Sequence, residues 1–206
     1  MLNNDLVHIV GAGGFGKEIS YLINCRFPDL NLCIYDDNDC GDNIKPIDNL
    51  VDNQEIFGDC ILAIGDPDLR RNVYNRIKGN VNLNFPNIDL SKNSDYPTYP
   101  HNSIGVGNIY MPGSILGYNS KIGSFNIIGA NVGVGHDVVV GDFNFIGPNS
   151  FMAGNSKIGD SCKLSFGTFI MQNGLLSSNI KSMPYTVFYK KYKISGTYFG
   201  NPAKLI

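Results

Sequence analysis

A six-residue repeat runs through the second half of this 206-residue sequence, and it limits the possible folds more than any other feature. Of thirteen positions read six residues apart, twelve are aliphatic or methionine, and glycine follows eight of them. The residue four places after each position is mostly small. Self-similarity at a fixed period indicates a repeat architecture. The thirteen positions are Ile104, Tyr110, Leu116, Ile122, Ile128, Val134, Val140, Ile146, Met152, Ile158, Leu164, Ile170 and Leu176.

A six-residue unit is too short for a helix and a turn, but it fits one short strand followed by a corner. Three such units close a triangular coil, in which the aliphatic side chain points into a narrow core and the small residue lies beside the corner. Glycine next to the core position would permit a tight backbone there. Thirteen units make about four coils, which at about 4.8 Å per stacked strand form a prism roughly 20 Å tall. The repeat therefore predicts a parallel β-helix.

The first half of the chain alternates short apolar runs with segments of helical spacing, which predicts a small, Rossmann-like parallel α/β domain. A boundary is expected in 91–100, which contains Pro97, Pro100 and several polar residues. The predicted domains are 1–95 and 96–206, the second ending in a C-terminal tail. The predicted elements are strands at 6–10, 32–35 and 61–64, helices at 17–25 and 69–77, and a tight glycine-rich turn at 11–16.

Composition excludes several classes of protein. The net charge of −2 and the pI near 5.8 argue against a nucleic-acid partner. The N-terminus has no signal-peptide features, and no run approaches the ~18 apolar residues of a membrane span, so we expect a cytoplasmic protein with no membrane partner. The odd number of cysteines and the absence of C-x-x-C spacing predict free thiols, with no metal site, for Cys25, Cys33, Cys40, Cys60 and Cys162.

The glycine-rich turn satisfies the pattern G-x-G-x-x-G through Gly11, Gly13 and Gly16, and Asp36 follows twenty residues after Gly16. This spacing fits a dinucleotide fingerprint, but any phosphate can bind exposed N–H groups at a helix N-terminus. An NAD enzyme needs more α/β repeats than the β-helix leaves room for. We therefore expect a nucleotide sugar or another sugar here, with a purely structural turn as the alternative.

Three histidines are present, and their positions differ in chemical interest. His8 lies inside the first predicted strand and His101 precedes the β-helix. His136 lies two residues after the inward-pointing Val134, so its ring should point outward, and Asp137 follows it. Taken alone, this pair is either plain surface or a general base, because imidazole accepts a proton near neutral pH.

The two halves in this order resemble the NeuD/PglD-like sugar acetyltransferases, which are hexapeptide-repeat acyltransferases. The matching segments are GAGGFGKE, IYDD, AIGDPDLRR, the repeat itself and FGNPAKLI at the end. The resemblance implies a left-handed β-helix that forms a homotrimer and holds acetyl-CoA between subunits. It implies an N-terminal domain that binds a nucleotide-linked amino sugar. The expected activity is transfer of the acetyl group to the amino group of that sugar.

The resemblance also implies roles for particular residues. His136 would be the general base, and Asp137 would orient its ring. The acceptor's phosphates and sugar would face Gly13, Gly14 and Phe15. Asp36 and Asp37 would accept hydrogen bonds from the base or ribose, and Gly65 would line the same cleft. Acetyl-CoA would contact Phe145, Phe166 and Lys204.

The sequence departs from the family at three places. Phe145 stands where many relatives have a second histidine, nine residues after the base, and Asp137 replaces a glutamate of some members. The usual glycine-rich end of the prism is replaced by a segment rich in tyrosine and lysine that reaches Lys193. Two alternatives therefore stay open: O-acetylation of a sialic-acid-like sugar, and a catalytically silent scaffold that binds a sugar nucleotide. The lysines after Ser177 are either a solvated face or a binding site for the phosphates of CoA.

The trimer makes a further prediction about the faces of the prism. A single-layer core buries little apolar surface, so outward apolar residues should be covered by neighbouring subunits. These residues each precede a core position, and they are Ile115, Ile127, Val139, Phe145 and Phe151.

Overall fold

The computed structural model describes residues 6–38, 41, 43–51, 53, 55–90 and 101–206. The chain divides into two compact units, Met1–Leu90 and Ser91–Ile206. The domain boundary predicted between residues 95 and 96 falls in 91–100, outside the described residues, and it stays a prediction. Cys40 also lies outside them, whereas Cys25, Cys33, Cys60 and Cys162 are free thiols.

The first unit alternates strands and helices along the chain. The strand predicted at 61–64 runs from Gly58 to Leu62 in the structure. It begins earlier because the buried Asp59 pairs with the first strand of the unit despite its charge. The elements are β1 (Leu6–Val10), α1 (Gly14–Arg26), β2 (Asn31–Tyr35), β3 (Ile44–Lys45), a 3-10 helix (Ile47–Leu50), β4 (Gly58–Leu62), α2 (Pro67–Ile77), β5 (Leu83–Asn84) and β6 (Ile88–Asp89).

Five of these strands form a parallel sheet in the order β3-β2-β1-β4-β5. The chain first builds the sheet on one side of β1 and then crosses to the other side to form β4. Ligands of such open sheets bind in the crevice outside the carboxyl ends of the strands, where the strand order reverses. The loops after β1 and β4 meet at that point.

The second unit is built from two- to four-residue strands that repeat around three faces. Lys121 pairs in parallel with Ser103 and with Val139, so a coil takes 18 residues. The strands are β7 (Ser103–Ile104), β8 (Ile109–Tyr110), β9 (Ile115–Leu116), β10 (Lys121–Ile122), β11 (Ile127–Ile128), β12 (Gly133–Val134), β13 (Val139–Val140), β14 (Phe145–Ile146), β15 (Phe151–Met152), β16 (Lys157–Ile158), β17 (Lys163–Leu164), β18 (Phe169–Ile170), β19 (Leu175–Leu176), β20 (Ile180–Ser182), β21 (Val187–Phe188), β22 (Lys191–Tyr192), β23 (Gly196–Phe199) and β24 (Lys204–Leu205). Among these described strands, only the last two parallel pairings, β19 with β22 and β20 with β23, shorten to 16 residues.

The predicted core positions fill the interior of this parallel β-helix. From Ile122 to Leu176 they are all buried, whereas Ile104 in the first coil is 37% exposed. The small residues beside the corners are buried too, and three asparagines among them form a ladder. The backbone N–H and side-chain amide of Asn126 both donate to Oδ1 of Asn108, and Asn144 repeats this arrangement on Asn126. The ladder ends where Asn144 Oδ1 accepts from the N–H of Cys162.

The expected role of the repeat glycines is only partly right. Left-handed backbone falls two residues after these glycines, at residues such as Asn119 (φ 56°) and Asp137 (φ 58°). The glycines themselves allow successive coils to approach each other. A Cβ at Gly117 would lie 2.5 Å from the carbonyl carbon of Gly135 in the next coil. Close stacking therefore excludes a side chain at these positions.

The β-helix is longer than predicted, and the expected C-terminal tail is part of it. Strands β20, β21 and β22 stack on β17, β18 and β19, so the repeat continues past Leu176. Phe188, Tyr192 and Tyr198 replace aliphatic residues in the last coils, and their ring centroids lie 4.8–5.7 Å apart. Such edge-on aromatic packing closes the end of the core. The final strand, β24, turns back antiparallel on β23.

The outward apolar residues are not equally exposed. Ile127 is 1% exposed within the single chain, so its prediction as a residue awaiting a neighbouring subunit is wrong. Ile115, Val139 and Phe145 are half-buried, and Phe151 is 46% exposed. Among the described residues, neither helix has the length and apolar character needed to cross a membrane.

The asparagine ladder makes a testable prediction about stability. Asn126→Ala removes the oxygen that accepts from the N–H (2.8 Å) and the amide (3.0 Å) of the buried Asn144. Buried donors without acceptors cost about 1–3 kcal/mol each, so we expect the free energy of unfolding to fall by about 2–4 kcal/mol. Denaturant unfolding followed by circular dichroism measures this. Asn149→Gly is the control, because Asn149 is exposed and glycine adopts its left-handed backbone easily. A loss no larger than that of the control would contradict the ladder's role.

Candidate functional site

The glycine-rich turn after β1 contains two kinds of glycine. Gly11 has left-handed backbone (φ 115°), and a Cβ at Gly16 would collide with the carbonyl oxygen of Gly11. These two glycines are therefore structural. A Cβ at Gly13 or Gly14 would meet nothing within 4 Å, so the backbone there is open.

The open glycines lie at the N-terminus of α1, which carries no cap. The N-cap residue is Gly13, no side chain caps the helix, and its first turn has no acidic residue. Uncapped N–H groups and the helix dipole together favour an anion at such an end. Phosphate oxygens suit this position.

Asp36 and Asp37 already have partners within the protein. Asp36 accepts from the N–H groups of Ala12 (2.7 Å) and Asn38 (2.8 Å), and so ties the glycine-rich turn to the end of β2. Asp37 accepts from the Ile47 N–H at 3.0 Å and from Arg76 at 2.6 Å. The hydrogen bond from Arg76 holds the pKa of Asp37 below its usual range. Each carboxylate oxygen has a further lone pair, so a ligand hydroxyl can still bind.

A cleft of about 330 Å³ collects all six residues that the sequence predicted for the acceptor. They are Gly13, Gly14, Phe15, Asp36, Asp37 and Gly65. The cleft is also lined by Ile47, Leu69, Val73 and Arg76, which the sequence analysis did not single out. The 3-10 helix and α2 supply these residues as an apolar wall with a cation beside it. Substrate binding by this cleft stays a prediction.

A buried arginine supports the rim of the cleft. Arg70 of α2 is 1% exposed, and its guanidinium donates to the carbonyl oxygens of Ile64 (2.5 Å) and Gly65 (3.3 Å). Burial lowers the pKa of Arg70, and the nearby Asp66 carboxylate opposes that shift. Arg70 shares the buried face of α2 with Val73 and Ile77, and its burial was not among the sequence predictions. Its contacts with the loop were not predictable from the spacing of these residues along the helix.

His136 lies at the corner after β12, and its side chain is 59% exposed, as its position in the repeat predicted. Its Nδ1 is 2.8 Å from Oδ2 of Asp137. The other oxygen of Asp137 accepts from the side-chain amide of Asn119 at 2.7 Å. These two hydrogen bonds, that of His136 first, lower the pKa of Asp137. Asn119 was not among the residues predicted from the sequence, although it lies 18 residues, one coil, before Asp137.

His136 has an aromatic residue on the coil before it and a glycine on the coil after it. Tyr118 lies one coil before it, and its exposed ring packs edge-on against His101 with centroids 5.2 Å apart. Gly154 lies one coil after it, where a Cβ would come within 2.5 Å of Nε2 of His136. The absence of a side chain at Gly154 therefore gives the imidazole its place, with Nε2 beside Gly154.

The three residues predicted to contact acetyl-CoA lie elsewhere on the β-helix. Phe145 is in β14, and Lys204 is in β24 of the same sheet. Phe166 follows β17 of that sheet and packs edge-on against Tyr185. A single chain therefore does not bring them to the corner of His136. In the part of the chain that the structure describes, no three His, Cys, Asp or Glu residues are grouped to hold a metal ion.

Comparison with known proteins matches each half separately. Residues 6–77 match the PglD N-terminal domain family, and residues 119–153 match the bacterial transferase hexapeptide (six repeats) family. No curated protein matches the sequence.

Similar solved structures cover both halves together. The acetyltransferase domain of PglB from Neisseria gonorrhoeae FA1090 is 23% identical with a TM-score of 0.86, over 98% of this chain and 100% of that one. GDP-perosamine N-acetyltransferase from Caulobacter crescentus, solved with one histidine replaced by alanine and with CoA and GDP-perosamine, is 22% identical with a TM-score of 0.86, over 100% and 99%. WeeI from Acinetobacter baumannii AYE is 22% identical with a TM-score of 0.74, over 98% and 99%.

These matches define a chain with a PglD-type N-terminal domain followed by a bacterial transferase hexapeptide domain. The predicted fold class, an α/β domain and a left-handed parallel β-helix, is confirmed. The resemblance to the NeuD/PglD-like sugar acetyltransferases is confirmed as well.

The second prediction concerns the effect of a side chain at Gly154 on the position of the His136 ring. In Gly154→Ala the added Cβ would lie 2.5 Å from Nε2, so the exposed ring should swing away and lose its hydrogen bond to Asp137. Because the ring can move into solvent, the free energy of unfolding should change by less than about 1 kcal/mol. The imidazole ¹⁵N shifts of His136 measure the lost bond.

Ala130→Gly is the matched control, because Ala130 occupies the equivalent place at another corner and carries the methyl group that Gly154 lacks. It should leave the His136 signals unchanged. Wild-type His136 signals in Gly154→Ala would show that the glycine is not needed for the position of the ring.

Proposed function

We propose that this protein transfers the acetyl group of acetyl-CoA to the amino group of a nucleotide-linked amino sugar, with His136 as the general base. The observation that carries the proposal is the His136–Asp137 pair, exposed at a corner of a hexapeptide β-helix. The GDP-perosamine N-acetyltransferase structure contains CoA and GDP-perosamine, and the PglB domain has been solved with acetyl-CoA, which supports these ligand classes.

The pair is suited to remove a proton from the acceptor. When Nδ1–H donates to the Asp137 carboxylate, Nε2 keeps its lone pair for the acceptor. The amine of a sugar is mostly ammonium at neutral pH, and only the deprotonated form attacks a thioester. The ammonium first loses one proton to solvent. As the free amine attacks and the C–N bond forms, Nε2 takes the second N–H proton, and the tetrahedral intermediate collapses with cleavage of the C–S bond. The imidazolium then returns the proton to the departing thiolate.

The location of the acetyl-CoA candidates supports a site shared between copies of the chain. Phe145, Phe166 and Lys204 lie on another sheet and its corner, away from His136 within one chain. Phe151 and Phe169 pair in register on adjacent strands and are 46% and 41% exposed. Exposed aromatic pairs of this kind mark interaction surfaces. We therefore propose a closed homotrimer in which one subunit supplies the base and its neighbour supplies the acetyl-CoA contacts.

The cleft of the first unit is proposed as the nucleotide site. The uncapped end of α1 would hold the diphosphate at Gly13 and Gly14. Asp36 would accept from a ribose hydroxyl through its remaining lone pairs, and the base would lie against Ile47 and Leu69. Asp37 is more fully engaged than the sequence suggested, since Arg76 neutralises it.

A thiol-release assay with acetyl-CoA tests the proposal against a panel of acceptors. The panel contains UDP-, GDP- and dTDP-linked amino sugars and free sialic acid. We expect turnover with at least one amino sugar. Turnover with sialic acid alone would replace N-acetylation by O-acetylation, and no turnover with any acceptor would leave the scaffold as the function.

The third prediction concerns His136. A general base contributes typically 10²–10⁴-fold, so His136→Ala should lower kcat by about that factor and leave the affinity for acetyl-CoA and the assembly nearly unchanged. Asp137→Ala should cost less, roughly tenfold, since it orients the ring. His101→Ala is the control, as His101 packs on Tyr118 and has no carboxylate partner among the described residues. If His136→Ala kept more than about a third of kcat, the assignment of the base would be wrong.

The fourth prediction concerns the acceptor cleft. Gly14→Val adds a branched side chain where the protein itself leaves space, so folding should be unaffected. The side chain would block a phosphate from the end of α1, and we expect the acceptor KM to rise at least about tenfold with a smaller change in kcat. Gly16→Ala provides the contrast, because its Cβ collides with Gly11 and should lower stability. An unchanged KM in Gly14→Val would reduce the turn to a structural role.

A further inference from the structure

The carboxylate of Asp137 is held from two sides by side chains of different coils. His136 contacts Oδ2 at 2.8 Å, and the amide of Asn119, one coil earlier, donates to Oδ1 at 2.7 Å. The backbone N–H of Asp137 also donates to the carbonyl oxygen of Tyr118 at 2.9 Å, which joins the same two coils. The plane of the carboxylate is therefore fixed before any ligand binds.

We propose that Asn119 is a positioning residue for the base: it fixes Asp137 so that His136 carries its hydrogen on Nδ1 and presents an unprotonated Nε2. This inference rests on the proposed function only in naming His136 as the base. Nothing in the sequence similarity assigns a role to Asn119. The residue does not touch the reacting atoms and acts through Asp137.

The groups that can donate a hydrogen bond decide which ring nitrogen of His136 carries the hydrogen. An ionised carboxylate only accepts hydrogen bonds, and the amide of Asn119 is a donor that favours the ionised form. The ring nitrogen that faces Asp137 must then carry the hydrogen, which leaves the lone pair on the other nitrogen. That other nitrogen, Nε2, lies beside Gly154 on a side chain that is 59% exposed. Hydrogen-bond partners that do not themselves touch the metal fix the tautomer and orientation of metal-binding histidines in the same way.

Without Asn119 this arrangement would loosen. The side chain of Asp137 is 38% exposed, so water would compete for its oxygens and the carboxylate could turn away from the ring. The exposed imidazole would then return to the tautomer that a free histidine side chain favours in water, with the hydrogen on Nε2. That form has no lone pair at the position where the acceptor's proton must be taken.

The position of Asn119 at a corner is not enough to explain this contact. Asn131, Asn155 and Asn173 occupy corners with the same left-handed backbone, because asparagine tolerates that conformation. Asn131 is the closest match, since it also contacts the side chain 18 residues later, Asn149. That distance is 3.4 Å, whereas Asn119 lies 2.7 Å from a charged group. Asn131 thus offers a control with equal backbone and no link to His136.

The test compares Asn119→Gly with Asn131→Gly in the full-length protein. Glycine keeps the left-handed backbone at no steric cost, so both variants should fold. Imidazole ¹⁵N NMR reads the tautomer directly, and with three histidines in the chain the His136 signals are assigned by comparison with His136→Ala. We expect the Nδ1–H form in the wild type and in Asn131→Gly, and a rise of the Nε2–H form in Asn119→Gly. In the thiol-release assay kcat should fall roughly tenfold in Asn119→Gly alone.

A second variant guards against a loss of structure. Asn119→Asp keeps the size of the side chain and its tolerance of the left-handed backbone, but it replaces the donor with a carboxylate. It should repel Asp137 and produce at least the same change in tautomer and kcat. The inference is overturned if Asn119→Gly keeps the wild-type tautomer and the kcat of Asn131→Gly. If the tautomer changes but the wild type turns over no acceptor, the positioning role stands and the proposed function fails.

Discussion

Parallel pairing of strands 18 residues apart is the interaction on which most of the second unit depends. It requires that coils approach closely, so glycines such as Gly117 and Gly135 cannot carry a Cβ. It also requires that buried polar groups repeat with the same period, as Asn108, Asn126 and Asn144 do. The same register that stabilises the prism puts residues from successive coils side by side on its surface. The candidate base and its neighbours are a product of that register.

Much of this unit was predictable because its period is short, and because the side chain at a given position of the repeat points the same way, inward or outward, in each coil. The inward row was identified correctly, and the outward direction of His136 followed from its distance to Val134. The end of the β-helix was not predicted, because aromatic residues replace aliphatic ones in the core there and Tyr192 follows Phe188 by four residues instead of six. The burial of Ile127 also contradicts a prediction that was made from the repeat alone.

In the first unit the residues of the cleft were predictable, whereas the contacts among its charged groups were not. The six candidate residues of the cleft were predictable through the resemblance to the NeuD/PglD-like sugar acetyltransferases, and the structure collects them because loops at the carboxyl ends of parallel strands share an edge. The ion pairs and buried charges around that cleft were not predictable from the sequence. Arg76 reaches Asp37 across 39 residues of sequence, and Arg70 is buried against the Ile64 and Gly65 carbonyls. Such pairs depend on how α2 packs, and no local spacing encodes them.

A base on a stacked corner differs from a base on a flexible loop. Backbone hydrogen bonds to the coils before and after, from Asp137 to Tyr118 and from Asn155 to His136, fix the corner without help from a substrate. The side chains of Asn119 and Asp137 extend that order to the imidazole. A group positioned in advance in this way loses little freedom when the reaction begins, which is the condition for efficient proton transfer. The proposed function further requires a neighbouring copy of the chain that brings acetyl-CoA to Nε2. We propose that a flat face of the three-sided prism supplies this surface in a further copy of the chain, so that the rigidity that holds His136 would also allow the complete site to assemble.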